Sequence, residues 1–143
     1  MGIEQWADLQ RSERLPEYRR AGEGQSIEFK REMPSKACDL AKEIAAFATS
    51  NDGRILLGIA DNAEVVGIPD VHDPKVRDEL GRRILGVSAS FKPSVQPTLH
   101  QAMENGVGVL GVRVTKGREP LYYVDHRPYI SDVCTWRTSR FHK

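Results

Sequence analysis

The sequence predicts an α+β fold, a single domain in which a mixed β-sheet of hairpins packs against two main helices. Three observations carry that expectation. Apolar residues recur at helical spacing between Lys36 and Ser50, the run from Ile55 to Ala60 is apolar on both faces, and Glu104-Asn105-Gly106 separates two segments rich in β-branched residues. The chain has 143 residues, which is the length of one domain and enough to bury a core without disulfides or a structural metal.

At the N-terminus, Ile3, Trp6 and Leu9 fall at three-residue spacing and suit a short helix, while the charged stretch Arg11 to Arg20 contains Pro16 and is expected to be an extended arm. Residues 1–19 are therefore set apart as a helix and arm, and 20–143 as the domain proper. Ile27 and Phe29 alternate with polar residues as in a half-buried strand, which puts Glu28 and Lys30 on its solvent face. Pro34 and Ser35 open the clearest helix, whose stripe is Ala37, Leu40, Ala41, Ile44, Ala45, Phe47 and Ala48. Asn51, Asp52 and Gly53 end it. Next come a central strand, a tight turn at Asp61-Asn62 and a partner strand from Glu64 to Ile68. Asp73-Pro74 is a cap and first-turn pair for a helix with Val76, Leu80, Ile84 and Val87 on one side, ending before Pro93. Thr98 to Met103 and Val107 to Thr115 form a second hairpin. A last strand is expected around Tyr129 or Trp136.

Hydrophobic residues at 39% and charged residues at 29% exclude a disordered chain. No apolar run is long enough to span a membrane and no secretory pattern opens the chain, so a cytoplasmic protein is expected. Cys38 and Cys134 lack a CxxC partner and read as two buried reduced thiols. The four histidines have no metal-ligand spacing, and no nucleophile motif or nucleotide-binding glycine fingerprint is present. A formal net charge of +1 does not by itself announce a nucleic-acid binder. The segment from Val112 to Lys143 is nonetheless basic, with Tyr122, Tyr123, Tyr129 and Trp136 interleaved among its cations.

Two blocks carry a family resemblance. Glu23-Gly24-Gln25-Ser26-Ile27-Glu28-Phe29-Lys30 resembles the opening pattern of the Schlafen AlbA-type domain, the AlbA_2 group associated with DNA binding. The stretch from Lys42 to Asp61 is similar to that family's helix, glycine turn and strand ending in an acid, and Val65-Val66-Gly67-Ile68 continues in register. Thr49 stands where the family pattern has asparagine, and Arg54 where it has a second glycine. The resemblance implies a Schlafen AlbA-like fold over roughly residues 20 to 137 and a nucleic-acid partner, RNA favoured over DNA.

Some Schlafen cores are metal-dependent endoribonucleases, and their acidic positions match Glu23, Glu28 and Asp61 here. The resemblance thus implies a hydrolase acting on structured, tRNA-like RNA, with Mg²⁺ or Mn²⁺ held by these three carboxylates. Hard cations of this kind prefer oxygen ligands and activate water beside a phosphate. Lys30, Arg31, Arg54, Arg113, Lys116 and Arg137 are the expected phosphate contacts. Because Schlafen cores pair two such lobes, a homodimer is the expected unit for enclosing a duplex. Two alternatives stay open: a non-catalytic DNA- or RNA-binding regulatory module, and a pure protein-interaction domain.

Overall fold

The computed structural model describes residues 6–49, 52–89, 91–92, 95–117 and 123–124. Its elements are α1 (Leu9–Ala21), β1 (Ile27–Lys30), α2 (Ala37–Thr49), β2 (Gly53–Leu57), α3 (Pro74–Ala89), β3 (Phe91–Lys92), β4 (Thr98–Glu104), β5 (Val107–Val114) and β6 (Tyr123–Val124). The main sheet has the order β1-β2-β5-β4, and β3 pairs with β6 in a separate two-stranded ribbon. β1 runs parallel to β2, whereas β5 is antiparallel to both β2 and β4, so the sheet is mixed.

Strand alternation gives this sheet two different cores. Ile55 and Leu57 of β2, with Leu110, Val112 and Val114 of β5, pack under the apolar stripes of α2 and α3. Leu56, Phe29, Ala102 and Val109 point the other way and meet Leu15 of α1. Gly58, at φ 105°, breaks the alternation at the end of β2, and Ile59 joins the second core instead of the first.

The N-terminal segment differs from its expected form. Residues Leu9 to Ala21 are helical, and Pro16 lies inside the helix instead of marking an arm. Proline there removes the N–H that would meet the carbonyl of Ser12 and costs about 3 kcal/mol in a helix interior. The contacts that offset it are tertiary. Asp8 caps the helix by accepting from the Arg11 N–H at 2.9 Å, and Leu15 is fully buried. The Ser12 hydroxyl accepts from the Met103 N–H at 2.9 Å, and the Asp8 N–H donates to the Gln101 carbonyl at 2.6 Å. These last two bonds occupy backbone groups on the outer edge of β4, which would otherwise be open to another strand.

The Asn105-Gly106 hairpin forms as the sequence indicates, with φ of 53° and 79° at its two turn residues. The Glu64 to Ile68 segment does not form a full strand: after the turn at residues 60–64, a single antiparallel bridge joins Ile59 to Val65. Gly58 and Gly67 both have positive φ, and the N–H groups of Val66 and Gly67 converge on the one carbonyl of Gly58 at 2.9 Å each, which ends the ladder. The expected strand around Tyr129 or Trp136 lies outside the described residues, as do Cys134 and the side chain of Cys38.

Gly53 begins β2 against the end of α2, where an added Cβ would fall 2.1 Å from the Phe47 ring. Gly53→Ala is therefore expected to destabilise the fold by about 1–3 kcal/mol through overpacking. Urea denaturation checks this, and an unchanged midpoint would mean that the helix-to-strand junction is looser than its geometry.

Candidate nucleic-acid interface

Two polar regions flank the sheet, one on each side of β2. The first is acidic. Glu28 and Lys30 are half-buried and face α2, not open solvent as their alternation suggested, and the Lys30 ammonium lies 3.3 Å from the Glu43 carboxylate and 3.8 Å from that of Glu28. After Gly22, at φ 78°, the chain folds Glu23 back along β1, where its carboxylate accepts from the Phe29 N–H at 2.9 Å. Burial first, then the carboxylates of Glu43 and Glu23, push the Glu28 carboxyl from 4.5 up to about 7, against the pull of Lys30.

Asp61 is exposed at the turn that follows Ile59 and is not among the groups acting on Glu28. Among the described residues, no group of three or more His, Cys, Asp or Glu side chains is placed to hold a metal ion. Glu23 is engaged by the β1 backbone and Lys30 supplies the local counter-charge, so a Mg²⁺ or Mn²⁺ ion does not fit these side chains as they stand.

The second region is basic and lies on the opposite face. Arg54 and Arg113 are register partners on the adjacent central strands, and both point toward α1. With Tyr18, Ser26, Ile27, Asp52 and Gly53 they line an open cleft of about 500 Å³. The Arg54 guanidinium sits 4.9 Å from the centre of the Tyr18 ring, and that of Arg14 5.9 Å from it. Burial chiefly, then Arg11, Arg113 and Arg14, lower the pKa of Arg54, while Tyr18 acts in the opposite direction. None of these four arginines joins the ion pairs found among the described residues, which link Arg19 to Glu104 and Lys30 to Glu28 and Glu43.

The expected cations are thus separated. Arg54 and Arg113 meet, Lys30 is neutralised at the acidic edge, and Arg31 is exposed just after β1. Lys116 is exposed, its backbone N–H bonded at 2.6 Å to the Asp52 carboxylate that borders the cleft. Arg137 lies outside the described residues. Arg11, Arg14, Tyr18, His100 and Glu43 are additions to the set read from sequence. Arg11, Arg14 and Tyr18 are spaced three and four apart, a helical signal that Pro16 masked, and His100 shares a strand face with Thr98 and Ala102.

Residues 23–140 match the family model "Schlafen, AlbA_2", and the chain belongs to that family. Among solved structures, it is similar to the DIP2311 protein of Corynebacterium diphtheriae, with 22% identity, a TM-score of 0.53 and coverage of 86% of this chain. It spans only 24% of that protein's chain. It is also similar to the N-terminal domain of an ATP-dependent DNA helicase RecG-related protein from Nitrosomonas europaea, with 24% identity, a TM-score of 0.51 and 78% of each chain covered. No curated protein matches. At these identities the two structures establish the fold. Among the described residues, no helix is long and apolar enough to cross a membrane.

The Glu28 shift has a definite sign. A carboxyl whose pKa rises on folding contributes stability that is fully present below 4.5 and lost as the pH climbs through about 7. Glu28→Gln should therefore leave the free energy of unfolding nearly unchanged at pH 4 and raise it at pH 8 by on the order of 1 kcal/mol after solvent screening, as read by urea denaturation at the two pH values. A difference that stays flat across that range would contradict the crowding of acids at this edge.

Proposed function

We propose that this domain binds nucleic acid through the basic face between α1 and the open end of β2 and β5, with Arg54 and Arg113 as its central phosphate contacts. One observation carries the reading: two arginines are register partners on neighbouring strands, close enough to Arg11 and Arg14 for all three to act on the charge of Arg54, with no carboxylate ion-paired to any of them among the described residues. Like charges gathered at a cleft repel one another, and a polyanion relieves that repulsion while releasing its own counterions. Membership of the Schlafen AlbA_2 family supports the same partner class. RNA is favoured on the resemblance to Schlafen cores, and a second copy of the chain would let one lobe face another across a duplex.

Metal-dependent RNA cleavage by Glu23, Glu28 and Asp61 is a second reading. The Glu28 carboxyl, held near neutrality beside a second acid, suits proton exchange at physiological pH and would have to lose its proton before it could hold a metal ion. Metal binding would further require Asp61 to approach Glu28 and Lys30 to give way.

Titrating the protein into labelled RNA and DNA over a range of salt concentrations tests both readings. Arg54→Ala and Arg113→Ala should each weaken binding about five- to tenfold regardless of sequence, and lower the slope of log affinity against log salt by roughly one ion. Unchanged affinity in both variants would reject the basic face. With Mg²⁺ or Mn²⁺ added, strand cleavage that disappears in Glu28→Gln supports the nuclease, and intact strands in both metals leave a binding module.

A further inference from the structure

The basic cleft contains one group that phosphate binding leaves unexplained. Among the side chains that line it beside Arg54 and Arg113 is an acid, Asp52, exposed immediately before β2. One of its oxygens, Oδ1, accepts from the Lys116 N–H at 2.6 Å and ties the start of β2 to the segment after β5. Among the described residues nothing pairs with the other oxygen, and Asp52 forms no ion pair with either arginine.

The tie to Lys116 does not need a charge, because the carbonyl of an asparagine accepts equally well at such a turn. A ligand made of phosphate alone does not need it either, since a carboxylate in the lining repels the anion that the arginines attract. A carboxylate oxygen beside two guanidinium groups is instead complementary to a ligand of mixed polarity. Such a ligand carries an anion for the arginines and an N–H donor for the acid. A nucleotide meets both conditions. Its phosphate is the anion, and the exocyclic amine of adenine, cytosine or guanine is the donor, where uracil and thymine present a carbonyl oxygen. Tyr18 and Ile27 add apolar surface to the same lining, which suits the flat face of a base. A base whose amine is free and whose faces are exposed is one that has left the duplex.

We propose that the cleft holds one unpaired nucleotide, its phosphate between Arg54 and Arg113 and its base amine on the second oxygen of Asp52, so that Asp52 selects amino-bearing bases over uracil. The inference rests on the nucleic-acid reading and adds a base preference to it. Uracil is disfavoured twice: it lacks the amine, and a carbonyl oxygen would face the carboxylate in its place.

The test is fluorescence anisotropy with the full chain and labelled single strands of about eight nucleotides, composed of A, C or U alone. The A and C strands should bind about fivefold tighter than the U strand. Asp52→Asn keeps an acceptor for the Lys116 N–H and turns an amide donor toward the base, so the preference should flatten to within about twofold or reverse in favour of U. In the wild type, the C strand should lose the same advantage when its bases are N4,N4-dimethylcytosine, which has no amine hydrogen to donate. Equal binding of the A, C and U strands by the wild type, or full affinity for the dimethylated strand, overturns the base assignment and leaves the basic-face reading intact. An equal gain for all three strands in Asp52→Asn would mean that the carboxylate only repels phosphate, and overturns it likewise. Absence of binding to any strand at low salt overturns both.

Discussion

The docking of α1 along the edge of β4 is the contact on which the rest of this structure depends. Burying Leu15 contributes roughly 1.5–3 kcal/mol, and the bond from the Met103 N–H to the Ser12 hydroxyl about 1 kcal/mol more. At the helix's far end, the Arg19 guanidinium meets the Glu104 carboxylate and donates to the Ala63 carbonyl at 3.0 Å. Together these match or exceed what Pro16 removes. The same docking completes the second core, closes a sheet edge and carries Arg11, Arg14 and Tyr18 over the strand face that bears Arg54 and Arg113.

The sheet then keeps the Glu28 carboxylate apart from Arg54 and Arg113 by strand parity. On β2, Arg54 and Leu56 face α1 while Ile55 and Leu57 face α2, and on β1 the carboxylate of Glu28 falls on the α2 side. A shift of one residue in either strand would bring the acidic and basic groups onto one face, where they would neutralise each other.

Much of this was legible in the sequence. The α2 stripe, the Asp73-Pro74 helix start and the Asn105-Gly106 hairpin were readable because each rests on local chemistry: periodicity, capping and turn residues that tolerate positive φ. The long helix through Pro16 was not, because tertiary contacts from residues about ninety positions away outweigh the local propensity against it. Arg54 and Arg113 were readable as candidate cations, while their direct pairing depended on a strand register that no local pattern specifies. Lys30 was misleading for a similar reason, since its partner Glu43 comes from a different element. His100 and Tyr18 carry no motif at all, and their significance is only spatial.

The central claim is that polyanions dock on the arginine face which α1 helps to build, and not on the β1 edge. Arginine side-chain NMR during titration with a short RNA strand tests it most directly. The Nε signals of Arg11, Arg54 and Arg113 are expected to shift together and saturate at one ligand concentration. Shifts confined to Arg31 and other cations near β1, with those three unmoved, would contradict it.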